Sequence, residues 1–565
     1  MKKDVIVLGI HDGHNAGAAL VKNGQVMAAI SEERLNNIKN YSGTPRQSIK
    51  EVFNIAKVNP EGIDLVAIAC LIRTHPPLAE EPFFVKFYRK VVPFIHSHWF
   101  SELYVSILHR FRKMKDLNDI FDELKIKDKE MIFIEHHLAH AACAYYQVPW
   151  SEKTLVLTLD GSGDGVSSSV NIGENSCIRR IAWSTSYNSV GNNLYSEVTG
   201  YLGLKRWEHE YKVMGLAPFG RPEYCLDKMK KVIRIHPQKP LEFQNTIRAY
   251  TIDVQKKFRK MFAEQRFDNI GAACQTYFES LLTQWVKNAI EETGIRKIAC
   301  AGGMFLNVKA NKLLRELDEV DDIFFYPAAG DEGTPVGAAL EGYFRFCEKE
   351  GITSERHPLE DLYYGREFDN DYLEFVIKKQ GWRENSTFEE NIYDEVASLV
   401  EKGKILAVFW GRDEFGPRAL GNRSIIADPR DLRVVSKLNF AIKQRDFWMP
   451  FAPSVLEEYA SDYFINARPA RYMIEAFDTK EKADELIAGL HQADRTGRPQ
   501  TVNNWNPKWR QTIEGFKELT GVSGVLNTSF NLHGYPIVGN PEIALETLQN
   551  SGLDGLALGN WLVLK

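Results

Sequence analysis

An α/β architecture of two lobes, the first built on a duplicated β-rich half, is what this 565-residue sequence predicts. Three observations carry that expectation. A strand, a polar glycine-containing turn and a hairpin occur between Val5 and Ser31 and recur between Thr154 and Ile172. Helical stretches such as Gly271 to Thr293 alternate with short apolar runs such as Lys297 to Cys300. A charged, turn-forming segment from Phe344 to Pro358 then interrupts the apolar pattern. The chain is also too long for one core, since domains run to roughly 150 residues.

Taken in order, Val5 to Ile10 reads as a buried strand, followed by Gly17 to Val21 and Gln25 to Ser31 joined through Asn23-Gly24, a hairpin dipeptide. Thr154 to Asp160 is predicted as a strand ending at Asp160, with Gly161 to Gly165 as its turn and Val166 to Ile172 as its return. The run Lys297 to Cys300 leads into Ala301-Gly302-Gly303. The boundary falls near residues 355 to 365, giving a first domain of 1–358 and a second of 359–565. In the second, the helical pattern Glu390 to Lys402 precedes the strand Ile405 to Trp410, and Ser523 to Leu526 is another buried strand. That lobe is α/β as well.

With 44% hydrophobic, 26% charged and 12% aromatic residues, the composition is that of an ordinary globular protein rather than a disordered one. The formal charge of -5 and the dispersed Lys and Arg give no electrostatic case for a nucleic-acid or membrane partner, although a local basic cleft stays open. Lys2 and Lys3 precede an apolar run too short for a signal peptide. The stretch Phe83 to Leu108 is broken by Lys86, Arg89, Lys90, His96, His98 and Glu102, so it does not read as a spanning helix. Seven cysteines without C-x-x-C spacing argue for a reducing cytoplasm rather than a disulfide framework.

The segment Glu135 to Ala142 favours helix, which puts His136 and His140 on one face about 6 Å apart, a spacing able to chelate a metal. A polar surface patch is the alternative. Asp160 and Asp331 sit where strands should stop before a turn, either aimed into the cleft between the halves or capping a helix. Two imidazoles and two carboxylates together suit iron, manganese or zinc. Three glycine turns follow strands, at His11 to Gly17, Asp160 to Gly165 and Ala301 to Asn307; they include Gly161, Gly302 and Gly303 and would let backbone approach a nucleotide closely. No P-loop or Rossmann fingerprint occurs.

His14 lies in the first of these turns, and histidine is the side chain best suited to accept a proton from a hydroxyl near neutral pH. A histidine bonded within its own turn is the other reading. Lys39 and Lys212 could neutralise phosphates or be solvated. The second lobe gathers cations in Gly416 to Ser424, with Arg418 and Arg423, in Lys443-Gln444-Arg445, and at Arg498. Arginine forks grip phosphate oxygens in pairs, so a convergent set would hold a compact dianion. Asn527, after a buried strand, could satisfy an amide or phosphate, or belong to a turn.

Read together, HNAGAAL, SEER, HHLAHAACAYY, LDGSGDG, KVMGLAPFG, AGGMFLN, GPRALGNRS, PFAPSVL and LNTSFN resemble the NodU and tobramycin O-carbamoyltransferase family, in order along nearly the whole chain. The resemblance implies an N-terminal duplicated actin-like ATPase fold followed by a YrdC-like lobe. It implies that the second lobe hydrolyses carbamoyl phosphate through Arg418, Lys443, Arg498 and Asn527, and that carbamate passes to the first lobe. ATP with Mg2+ would there convert carbamate to carbamoyl adenylate, beside a divalent metal, Fe2+ before Mn2+ or Zn2+, on His136, His140, Asp160 and Asp331. Gly161, Lys212, Gly215, Gly302, Gly303 and Asn307 would face the nucleotide. His14 would be the base for the acceptor hydroxyl and Lys39 the charge stabiliser beside it.

Two positions depart from the family pattern. Met449 stands where an arginine is usual and Tyr535 where a glutamate is usual. A lost charge-assisted phosphate bond would cost about 1.5–3 kcal/mol unless Lys443 or Arg445 compensates. Two other functions fit parts of the pattern: a threonylcarbamoyl adenylate enzyme of tRNA modification, for which no basic surface is legible, and a nucleotide sensor that has lost the reaction. The expected acceptor is a hydroxyl-bearing small molecule such as an antibiotic or toxin precursor, and the expected assembly a monomer or homodimer.

Overall fold

The computed structural model describes residues 4–73, 83–443 and 445–565; Lys2 and Lys3 lie outside them. The chain forms two compact units, one of Met1–Glu32 with Asn40–Leu359 and one of Glu33–Lys39 with Glu360–Lys565. The short segment Glu33–Lys39 thus packs with the later half of the chain, where sequence order had placed it with the earlier one.

The first unit holds two five-stranded sheets of identical connectivity. In the first sheet, β1 (Ile6–His11), β2 (Gly17–Lys22) and β3 (Gln25–Ser31) form an antiparallel meander, and β4 (Leu65–Ala69) and β5 (Glu130–Ile134) add in parallel on the other side of β1. Asn23 and Gly24 both take positive φ, 52° and 83°, as the tight hairpin requires. In the second sheet, β6 (Thr154–Gly163), β7 (Val166–Glu174) and β8 (Cys177–Thr185) repeat the meander. After a separate hairpin of β9 (Ile233–His236) and β10 (Lys239–Asn245), β11 (Lys297–Ala301) and β12 (Asp322–Phe325) extend that sheet in parallel from β6. The order 3-2-1-4-5 therefore occurs twice, which is the duplicated actin-like ATPase fold.

One expectation changes here. Asp160 does not end β6. The strand continues to Gly163 through a register shift between Leu159 and Gly163, and the reversal falls at Asp164-Gly165, with φ of 49° and 80°. A two-residue hairpin turn at that dipeptide leaves Asp160 to Ser162 in a bulge, the device by which a strand re-aims a side chain.

Two helices hold the halves of this unit together. Helix α1 (His136–Tyr145), capped by Glu135 accepting from the Leu138 N–H, follows β5. Helix α2 (Thr334–Glu350) follows the turn at Asp331. They touch backbone to backbone: a Cβ on Gly337 would stand 1.8 Å from the Ala139 carbonyl oxygen, and one on Gly9 of β1 would stand 2.0 Å from that of Pro335. Glycine at both positions is what lets α2 lie between β1 and α1, and this brings Asp331 beside the first turns of α1.

The second unit is a mixed eight-stranded sheet. Its strands are β13 (Ser386–Phe388), β14 (Leu406–Phe409), β15 (Arg423–Ala427), β16 (Ala452–Leu456), β17 (Gln500–Val502), β18 (Gly524–Ser529), β19 (Gly555–Leu558) and β20 (Trp561–Leu564), in the order 13-20-19-14-15-18-16-17. Apolar cores cover both faces, one around Trp509, Phe516 and Val525 and the other around Phe409, Leu526 and Leu545. The short segment Glu33–Lys39 is tied in by Arg34, whose buried guanidinium donates to Asp413 Oδ1 at 3.2 Å and to the Gly416 carbonyl at 3.0 Å. All seven cysteines are free thiols. Among the described residues, no helix is long and apolar enough to cross a membrane.

Candidate active site

Four donor atoms from separate parts of the first unit meet at one point. His136 and His140 come from consecutive turns of α1, Asp160 from the β6 bulge and Asp331 from the turn into α2; one ligand atom of each lies within 4.8 Å of all the others. His136 Nε2 is 3.1 Å from His140 Nε2, 3.4 Å from Asp160 Oδ2 and 3.5 Å from Asp331 Oδ1, and His140 Nε2 is 3.7 Å from Asp331 Oδ1. Ligands about 2.1 Å from one ion are spaced by about 3.0–3.4 Å in octahedral or tetrahedral geometry, so these separations fit a shared metal. Both imidazoles are fully buried, which removes the surface-patch reading of the pair. The intervening His137 points elsewhere, with its nitrogens 2.7 Å from Thr158 Oγ1 and 3.1 Å from the Val166 carbonyl.

The local backbone is shaped to this cluster. Gly163 faces the His136 ring so closely that a Cβ there would stand 2.1 Å from ring carbons. The Gly303 N–H donates to Asp160 Oδ1 at 2.9 Å, fixing the carboxylate from the next strand. Gly302 takes φ of 105° to pass beside Leu159. Gly161 lies against Asn192, in a π-helical turn Gly191–Ser196 of the kind common near functional sites. Burial opposes ionisation of Asp160, but its hydrogen bond to His136 and the charges of His140 and His136 outweigh that and hold its pKa below the usual carboxylate range. Asp331 is lowered likewise, burial being offset by His136 and a hydrogen bond to His140. A divalent cation needs these carboxylates ionised and both imidazoles neutral, so binding one would displace the proton that the neighbouring groups favour on His136.

His14 Nδ1 stands 3.9 Å from Asp331 Oδ2, at the rim of the cluster, with its ring edge-on to Trp207. The remaining expected nucleotide residues are spread around one long helix, α3 (Phe267–Thr293). Asn307 caps the helix Val308–Arg315, and its amide is engaged with Gln275 of α3 in both directions, at 2.9 and 3.0 Å. Its side chain is thus committed inside the protein. Lys212 and Gly215, both buried, share the helix Glu210–Leu216, which packs on α3.

Lys39 belongs to the segment Glu33–Lys39. It packs with the second unit, where its charge helps depress the pKa of Lys443, because the buried Arg34 anchors the whole Glu33–Lys39 segment there. In that unit burial, Arg418 and Arg445 push the Arg498 pKa well below its ordinary value, so three guanidiniums crowd one region. Lys443 is buried, and its ammonium donates to the Ser529 carbonyl, to the Asn531 carbonyl at 3.1 Å and to Asn531 Oδ1 at 2.6 Å. Its donors are used within the chain, so it supports the 529–531 loop. Asn527 Nδ2 donates to Ser454 Oγ at 3.0 Å and to the Ala419 carbonyl at 3.2 Å, which ties the loop carrying Arg418 to β18. Arg423 is structural: fully buried, it donates to the Trp410 and Asn422 carbonyls and stacks on Phe409. Met449 is buried and Tyr535 exposed.

Residues 6–340 match the family description "Carbamoyltransferase N-terminus" and residues 397–565 match "Carbamoyltransferase C-terminus". The chain belongs to the carbamoyltransferase family. It is 32% identical to the nodulation protein NolNO of Sinorhizobium fredii, over 98% of this chain and 79% of that one. An uncharacterized protein of Methanocaldococcus jannaschii is 29% identical over 99% of this chain and its own full length. Likeness to solved structures is distant: full-length HypF in its phosphate- and nucleotide-bound form aligns over 62% of this chain and 48% of its own with a TM-score of 0.32 and 12% identity.

Several residues that pack on this cluster carry no sequence signal of their own. Cys70 Sγ lies 3.1 Å from His136 Nδ1, behind the nitrogen that faces the other donors. Asp164 accepts from the backbone N–H groups of Leu71, Ile72 and His136, binding three segments together. Asp12 is wholly buried between Arg73 and Arg112. The doubled pattern His11-Asp12-Gly13-His14 was the one available signal; the partners are 60 to 100 residues away and have no spacing to read.

Crowded guanidiniums repel one another and are relieved by an anion. Replacing Arg498 with alanine is therefore expected to weaken binding of a phosphate anion by about 10–150-fold, the equivalent of 1.5–3 kcal/mol for a charge-assisted bond. Metal content stays unchanged. Isothermal titration of both proteins checks this, and equal affinities would remove Arg498 from the site.

Proposed function

We propose that this carbamoyltransferase hydrolyses carbamoyl phosphate at the arginines of its second unit and, in its first, activates the resulting carbamate with ATP and transfers it to a hydroxyl of a small molecule. The observation that carries the reading is the juxtaposition of His14 with the four-donor cluster through Asp331. Arg418 and Arg498, with Arg445 beside them, bind the phosphate dianion and stabilise charge as the carbamoyl–phosphate bond breaks and water supplies the new oxygen. Carbamate oxygen then attacks the α-phosphorus of ATP, pyrophosphate leaves, and carbamoyl adenylate forms.

His136, His140, Asp160 and Asp331 would hold the divalent metal, whose chemistry when bound is charge neutralisation at phosphate oxygens. Iron, manganese and zinc all suit the donor set. The glycines at 161, 302 and 303 keep the backbone low around Asp160, leaving space for a nucleotide. His14 accepts the proton of the acceptor hydroxyl as its oxygen attacks the carbamoyl carbon and AMP departs. Burial of the cluster keeps water from the adenylate.

The test is pyrophosphate release. With ATP alone none is expected above background; adding carbamoyl phosphate starts it, and an acceptor gains about 43 Da by mass spectrometry, since CONH2 replaces H. Release that ignores carbamoyl phosphate would overturn the two-site reading.

A further inference from the structure

Among the described residues three helices stand between β4 and β5, Phe83–Val91, His98–Arg110 and Lys115–Glu123, and the first two with the turns beside them expose large apolar side chains. Seven large hydrophobic residues within 25 positions are solvent-exposed: Phe87, Phe94, Ile95, Trp99, Leu103, Ile107 and Phe111. Phe94 is 85% exposed, Phe111 77% and Trp99 68%. Trp99, Leu103 and Ile107 are four residues apart and make one stripe, while Ser101 and Val105 of the same helix are buried. The inner face is well anchored. Ser101 Oγ donates to the Gly165 carbonyl at 2.9 Å, His98 stacks on Trp183 at 4.2 Å, and Arg112 ion-pairs with Asp12. The apolar stripe is thus the outside of a fixed element.

Charge accompanies it. From Phe83 to Lys115 there are seven Lys and Arg against one acid, Glu102, in a chain whose net charge is -5. Arg89 and Arg112 are paired inward with Asp253 and Asp12, whereas Lys86, Lys90, Arg110, Lys113 and Lys115 are exposed in the same stretch of chain. We propose that the first two of these helices form a docking surface for an anionic lipid bilayer. Protruding Trp, Phe and Ile side chains enter the headgroup boundary while surrounding cations meet lipid phosphates, the arrangement of an interfacial helix. A second copy is a poorer occupant, because a two-fold contact through this patch would set its cations against their own images. The inference does not depend on the reaction proposed above.

The test is co-flotation of the full chain with vesicles of phosphatidylcholine alone or mixed with phosphatidylglycerol. Binding to the mixed vesicles is expected, with little to the neutral ones. The triple replacement Trp99→Ser, Leu103→Ser, Ile107→Ser is expected to abolish it. The replacement of Lys86, Lys90 and Arg110 by glutamate is expected to weaken it about tenfold or more, since each basic residue near an anionic surface contributes about 1 kcal/mol before screening. All six residues are exposed, and unchanged far-UV circular dichroism and metal content would establish that both variants remain folded. Failure of the parent chain to float with anionic vesicles overturns the proposal, as does equal flotation of parent and both variants. Sedimentation supplies the remaining outcome: a parent dimer that the triple variant dissolves would assign the stripe to self-association instead.

Discussion

With His14 replaced by asparagine, pyrophosphate release driven by carbamoyl phosphate and ATP should stay within a few-fold of the parent enzyme, while carbamoyl transfer to the acceptor slows by about 10²–10⁴, the range a positioned general base supplies. The separation follows from geometry. His14 is not one of the four donors; it stands beside the cluster at Asp331, 3.9 Å away, and its ring rests edge-on against Trp207. Asparagine keeps polarity and a similar reach at the β-carbon branch but cannot take a proton from an alcohol. Adenylation needs no base on an alcohol, so it should proceed and carbamoyl adenylate should accumulate. Quenched-flow measurement of adenylate and product distinguishes the cases. Equal slowing of both half-reactions would mean that His14 holds the cluster together rather than acting on the acceptor.

The second large effect is expected at Asp331. Asp331→Asn preserves shape while removing the charge that faces His136 Nε2 at 3.5 Å and His140 Nε2 at 3.7 Å. A carboxamide is a weak ligand for a divalent cation, and the loss in metal affinity should exceed the 10–100-fold typical of a residue one shell further out. Burial of both imidazoles adds to the effect, since it limits how freely water can take the place of the lost carboxylate. Metal analysis after exposure to a graded chelator measures it. Retention of the metal by Asp331→Asn at chelator concentrations that strip the parent protein would remove Asp331 from the ligand set.

Short-range geometry shows in a sequence and long-range geometry does not. His136 and His140 declared themselves by spacing, because a helix places positions four apart on one face whatever surrounds it. Asn23-Gly24 declared a hairpin because both residues tolerate positive φ. Asp160 was visible as a candidate but misplaced as a strand end, since the bulge that aims it shows only when β6 is registered against β7. Asp164 showed only as part of a glycine turn, and Cys70 and the pair Arg73 and Arg112 carried no local signal. Each acts on a residue dozens of positions away, and no local pattern encodes that distance.

Lys39 and Lys443 show what only packing adds. Both are lysines in polar surroundings, and a phosphate contact was a reasonable expectation for each. Lys443 instead spends its donors on Ser529 and Asn531, and Lys39 follows Arg34 into the second unit. What the sequence determined by itself was governed by short-range geometry: the strand–turn–hairpin repeat and the helical histidine pair. Tertiary structure alone decided which charges converge. A buried ion or hydrogen bond depends on positions brought together by packing, here by glycines at 9 and 337 that allow two helices and a strand to touch, and that closeness depends on the whole fold rather than on any segment of it.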